Sequence, residues 1–168
     1  WTSSGRNLSS CAGRYAAGAD VEPQPQLCGV AVGDKLVTGT LSGALYVWDA
    51  KTAVCTEQLK GHAAAVASVC PTSTGGFVTG GQDGYIKLRN AELLLLNAFE
   101  LGSPVAAVAA DAKFTKLAAI TAAASVHELV RDSGASVRLL SAHAGGASSI
   151  APSPSDADAY ATCGPDGT

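Results

Sequence analysis

Three residue types that can act together in acid–base or nucleophilic chemistry recur here at similar spacing, the Thr–Asp interval being the same in both copies. They are His62, Thr79 and Asp83, and again His143, Thr162 and Asp166. A histidine held between a hydroxyl and a carboxylate is the arrangement that activates a nucleophile. The same arrangement is also a buried structural chain, in which the imidazole links a strand hydroxyl to a turn carboxylate. Its recurrence favours the structural reading, because catalysis rarely needs two copies of one constellation. The third histidine, His127, stands beside Glu128 and reads as a surface polar position. Asp156 and Asp158 alternate in a Pro/Ser-rich stretch, where solvated turn residues are the default, and they lack the further oxygens of a calcium loop. The glycine-rich stretches GTLSG and TGGQDG open no helix, so they do not read as phosphate cradles. No catalytic residue, metal ligand, cofactor or nucleotide site is expected, and the chain reads as a non-enzyme.

The elements that must position these residues repeat. Leu36–Asp49 reads LVTGTLSGALYVWD, Phe77–Asn90 reads FVTGGQDGYIKLRN 41 positions later, and Tyr160–Thr168 reads YATCGPDGT. The turn glycine falls at Gly43, Gly84 and Gly167. A period of about 40–45 residues, with Gly-His early and Trp-Asp late, is the mark of a four-stranded propeller blade. Within the unit that starts at Gly61-His62, strands are expected at Ala65–Cys70, Phe77–Gly80, Tyr85–Leu88 and Leu93–Phe99. An Asp83-Gly84 hairpin turn joins the middle pair. Glu92–Leu96 (ELLLL) is helical by propensity, but its place in the repeat makes it a strand.

The same ruler divides the rest of the chain. Residues 1–25 read as the end of a preceding blade plus a loop, 26–60 as one blade, 61–101 as the next, 102–141 as a divergent one, and 142–168 as the start of a truncated one. The expected fold is all-β, a run of WD40-type propeller blades forming a fragment of a larger, tandem propeller. The divergent blade has TAAAS at Thr121–Ser125, where its neighbours have glycine turns.

The net charge is −3, which gives no basic surface for nucleic acid. No apolar run is long enough for a membrane-spanning helix. Five cysteines, Cys11, Cys28, Cys55, Cys70 and Cys163, are odd in number and lack metal-ligand spacing, so they read as buried free thiols of a reducing compartment. Trp48 is expected to join the hydrogen-bond chain through its indole N–H. Arg89 stands where a second tryptophan would do so, by drift or because it faces a partner.

More specific wording accompanies the repeat: Trp1–Gly5 (WTSSG), Leu27–Ala31 (LCGVA), Leu36–Gly39 (LVTG), Gly43–Trp48 (GALYVW), Leu59–His62 (LKGH), Gly76–Gly81 (GFVTGG), Glu100–Val105 (ELGSPV) and the glycine-poor Leu117–Leu129. This pattern resembles the echinoderm microtubule-associated protein-like family. The resemblance implies two packed propellers, a non-enzymatic structural role, and tubulin, microtubules or microtubule-associated proteins as partners. It places the protein in the cytoplasm on the cytoskeleton, or in a ciliary axoneme. Lys60, Lys87 and Arg89 are then the candidate partner contacts, among the positive charges that include Lys51, Lys113 and Lys116. The alternative is a general adaptor propeller in a signalling, trafficking or ligase complex, since function lives on sites grafted to the fold.

Overall fold

A computed structural model of the chain describes residues 14–15, 24–141, 147–153, 156 and 159–166. Every regular element among them is a strand. Three complete antiparallel sheets follow one another as simple meanders. The first holds β2 (Gln26–Val32), β3 (Lys35–Thr40), β4 (Ala44–Asp49) and β5 (Val54–Lys60). The second holds β6 (Val66–Pro71), β7 (Phe77–Gly81), β8 (Tyr85–Arg89) and β9 (Leu95–Glu100). The third holds β10 (Val105–Ala110), β11 (Lys116–Thr121), β12 (Ser125–Val130) and β13 (Ser136–Ser141). A two-stranded hairpin, β14 (Ser149–Pro152) and β15 (Tyr160–Cys163), comes last. A two-residue strand, β1 (Arg14–Tyr15), pairs in parallel with the outer strand β5 of the first sheet.

The first strands β2, β6, β10 and β14 neighbour one another in succession, so the sheets are arrayed face to face about their inner strands. Each interface is filled by one apolar cluster. Val37, Leu45 and Val47 of the first sheet meet Val66, Phe77 and Leu93 of the second. Val78, Ile86 and Leu88 of the second meet Val105, Leu117 and Leu129 of the third. Ala109, Ala118 and Ile120 meet Ile150 of the last hairpin. Close approach requires glycine at the centre of the first two interfaces. A Cβ on Gly39 would stand 2.6 Å from Val66, and one on Gly80 2.6 Å from Val105, inside ordinary packing distance.

The hairpin turns show how residue type shapes each sheet. Gly43 and Gly84 take φ of 91° and 83°, and Ala124 takes 57° at the same point of the divergent sheet. The divergent sequence therefore keeps the turn, with a side chain in a left-handed conformation that costs an alanine roughly 1–2 kcal/mol. The expected strand over Leu93–Phe99 begins later, at Leu95. Leu93 instead takes φ 69° and is 5% exposed in the core. The Asn90 side chain accepts from the Leu94 N–H at 2.8 Å, closing a turn where propensity alone suggests continuous strand or helix.

Candidate functional site

The polar residues singled out above meet in the second sheet. His62 precedes β6, Thr79 is central in β7, and Asp83 lies in the middle of the β7–β8 turn. The imidazole Nδ1 lies 2.8 Å from Asp83 Oδ1, and Nε2 lies 2.8 Å from Thr79 Oγ1. A carboxylate only accepts, so Nδ1 carries the proton and donates to Asp83, while Nε2 accepts from the Thr79 hydroxyl. Asp83 also accepts from the backbone N–H of Ala63 at 2.8 Å and of Tyr85 at 3.2 Å. One carboxylate thus joins the loop before β6 to the turn after β7. His62 is 5% and Thr79 0% exposed. Gly81 makes room for the group, because a Cβ there would overlap both the His62 ring and the Asp83 carboxylate.

Burial pushes the His62 pKa down, with Lys87 and Arg89 adding to the effect and outweighing the attraction of Asp83. Burial alone would raise the Asp83 carboxyl. The bonds from Ala63, His62 and Tyr85 overcome it and leave the pKa below the usual range. A neutral imidazole beside an ionised carboxylate can act as a base where substrate reaches it. Here the ring side chain is fully covered and its acceptor nitrogen is occupied by Thr79, so the arrangement fastens loop to strand.

The first sheet holds a related chain with different members. The Trp48 indole N–H donates to Thr38 Oγ1 at 2.7 Å, and that hydroxyl donates to Gln26 Oε1. Ser42, in the turn, donates to Gln24 Oε1. Two glutamines do there what a histidine does in the second sheet, and no spacing rule pointed to them. In the third sheet the matching β11 and turn positions are Ala119 and Ala123, so no such chain forms. The expected copy at His143, Thr162 and Asp166 falls partly outside the described residues, since His143 is not among them. Thr162 sits on β15, paired with Ile150.

Arg89 corrects one expectation. It is 8% exposed and is not a surface contact. Its Nη1 donates to the Leu93 carbonyl at 2.8 Å and its Nη2 to the Lys60 carbonyl at 2.6 Å. Its Nε has no partner among the described residues, and burial lowers its pKa. Arginine thus replaces tryptophan by fastening the β8–β9 turn to the end of β5. Lys87, half-buried, acts beside it by donating Nζ to the Gly61 carbonyl at 2.6 Å. Lys60 is exposed and remains available to a partner. The pairing of Lys87 and Arg89 with the Lys60–Gly61 backbone escaped the sequence reading, because backbone acceptors leave no residue signature.

The remaining candidates carry no assembled chemistry. His127 is half-buried and lies 3.4 Å from Ser136 Oγ. Glu128 pairs with Lys116 at 3.4 Å. Asp156 is exposed, and Asp158 lies outside the described residues. Cys55 is a buried free thiol, Cys28 and Cys70 are half-buried, and Cys163 is exposed, so burial holds for only part of the set; Cys11 lies outside the described residues. Among the described residues no group of three or more His, Cys, Asp or Glu is placed to hold a metal. No described helix is long and apolar enough to cross a membrane.

Comparison with known proteins agrees with this geometry. Residues 53–90 match the family model "WD domain, G-beta repeat". The matched unit runs from the outer strand β5 through β6, β7 and β8, so it straddles two sheets and contains the whole His62–Thr79–Asp83 chain. Nuclear distribution protein PAC1-2 of Uncinocarpus reesii is 39% identical over 59 residues, covering 34% of this chain and 13% of that protein. The chain therefore spans a small part of the curated relative it matches. The crystal structure of the RRP9 WD40 repeats superposes with a TM-score of 0.71 at 15% identity, over 79% of this chain and 43% of that one. The chain thus carries a WD40 repeat in sequence at residues 53–90, and its three complete sheets have the fold of WD40 propeller blades, an architecture that generally serves as a scaffold for protein–protein interaction.

Proposed function

We propose that the intact protein is a non-enzymatic WD40 scaffold of the cytoskeleton, bound to microtubules or to microtubule-associated proteins in the cytoplasm or a ciliary axoneme. The observation that carries this reading is the wording LVTG, GALYVW, LKGH and GFVTGG, which resembles the echinoderm microtubule-associated protein-like family and falls on β3, β4, the β5–β6 junction and β7. A relative named for nuclear distribution accords with a positioning role. The interior of the second sheet supports a structural part for its polar residues, since His62, Thr79 and Asp83 bond to one another rather than to a cleft. Among the three proposed contacts, exposed Lys60 is the one a tubulin surface can reach.

The test is co-sedimentation of the intact protein with stabilised microtubules at rising salt. Pelleting that weakens with salt and falls with Lys60→Glu is expected, because exposed charge pairs are screened beyond about 8–10 Å at physiological ionic strength. Failure to pellet, alone or with native neighbours, favours the second reading of a general adaptor. The net charge of −3 supports that alternative, since it opposes adhesion to an acidic polymer.

A further inference from the structure

The outer strands of the three sheets differ in what lies against them. β5 has a neighbour, because Arg14 and Tyr15 pair in parallel with Val54 and Cys55, so this chain already adds an extended segment to a blade edge. β9 has no such neighbour among the described residues. Its outer edge exposes a row of backbone N–H and C=O groups, a template for a further strand. Such edges are usually protected by charge or proline. β5 carries Glu57 and Lys60, whereas β9 (LLNAFE) has no charge before its last residue.

The apolar side chains there are also uncovered. Leu94, Leu95 and Leu96 are 64%, 50% and 59% exposed, three in succession at the entrance to the strand. An uninterrupted exposed run of this kind is an error in a folded surface unless it is used. Beside it opens a cleft of about 570 Å³ lined by Leu96, Asn97, Phe114, Arg131, Asp132 and Glu92. Arg131 is already engaged there, over the Phe114 ring at 5.1 Å and paired with Asp132 at 2.6 Å. Glu92 is exposed and has no ion-pair partner among the described residues. At the other end of β9, Glu100 is exposed as well, opposite Tyr85 in the strand pairing. The edge is therefore apolar at its entrance, Leu94–Leu96, carries the polar Asn97 beyond them, and is acidic at both ends.

We propose that the outer edge of β9 docks an extended segment of a protein partner that has alternating apolar side chains and is flanked by lysine or arginine. The segment adds a strand to the second sheet, sets apolar side chains against Leu94–Leu96 and in the neighbouring cleft, and places its basic ends beside Glu92 and Glu100. Backbone pairing supplies affinity, while the leucines and glutamates supply selectivity. This surface serves a scaffold in any cellular setting, so its test stands apart from microtubule sedimentation.

The experiment titrates the intact protein with fluorescein-labelled peptides of alternating valine and threonine, read by anisotropy, with amide exchange followed over residues 91–100. The Lys-flanked peptide should bind at least about tenfold tighter than its Glu-flanked counterpart and slow exchange in β9. The double variant L94K/L96K, at exposed positions, should lose at least about tenfold in affinity with an unchanged melting temperature. A peptide N-methylated at alternate residues, unable to pair as a strand, should not bind. Equal binding by that peptide, no preference for basic flanks, or no exchange protection over 91–100 overturns the proposal. So does a concentration-dependent dimer of the protein that L94K/L96K abolishes, since the edge would then belong to a second copy.

Discussion

The second and third sheets share one backbone plan and fill it by opposite means. In the second, Thr79 pairs across to Lys87 and Phe77 to Arg89; in the third, the matching pairs are Ala119 with His127 and Leu117 with Leu129. The turn glycine Gly84 becomes Ala124, and Asp83 becomes Ala123. The second sheet buries a His–Thr–Asp chain bonded member to member, and an arginine whose Nη1 and Nη2 are held by backbone carbonyls while its Nε has no partner among the described residues. The third buries Ala118, Ala119, Ile120 and Leu129 at 0% exposure and needs no polar partners there. Apolar filling carries no risk of a stranded donor, while a polar chain fixes loop to strand by geometry and fails as a unit when one member is lost. One redundant fold accommodates both, because each interface is closed by its own apolar cluster.

The largest expected effect separates the two sheets directly. Gly81→Ala puts a methyl group into the space between His62 and Asp83, so the chain must open and leave buried groups unpaired. A loss of about 3 kcal/mol is expected, from overpacking and unsatisfied groups together, read by urea unfolding. At the matching place in the third sheet a side chain, Thr121, is already accommodated, and Thr121→Ala should cost only about 1 kcal/mol for its long hydroxyl bond to the Ser125 carbonyl. Equal costs would show that the polar chain contributes nothing distinctive.

Acid should then loosen the second sheet before the third. The folded pKa of His62 lies below its ordinary 6.5, so the unfolded chain binds the proton more readily. Its contribution is complete above about 6.5 and falls away as pH drops through the folded value. Asp83, also lowered from 3.8, adds a second loss at still lower pH with the same sign. Amide exchange in β7 and β8 should accelerate between about pH 7.5 and 5 more than in β11 and β12, which contain no titrating member of such a chain. Parallel behaviour of the two sheets would contradict the neutral, buried imidazole.

The smallest effect concerns the turns. Ala124→Gly relieves a left-handed alanine but loosens the unfolded chain, for a net gain of about 0.5 kcal/mol. Gly84→Ala should lose about 1 kcal/mol in the same assay. A loss on Ala124→Gly would mean that the methyl group packs usefully in the turn.

Much of this was legible in the residues themselves. The 41-residue interval between the two hairpins, the Asp83-Gly84 turn and the alternation of apolar residues determined an all-β chain of short antiparallel strands, because these are local preferences expressed within each unit. His62, Thr79 and Asp83 were legible as a group because their spacing follows the strand and turn lengths. Only the tertiary structure decided where side chains faced across sheets. It turned Arg89 inward to the carbonyls of Leu93 and Lys60, recruited Gln24 and Gln26 into the first sheet's chain, and left Leu94–Leu96 on an open edge. Those outcomes depend on contacts between separate units and on backbone acceptors common to all residues, and neither is written in the order of side chains along one strand.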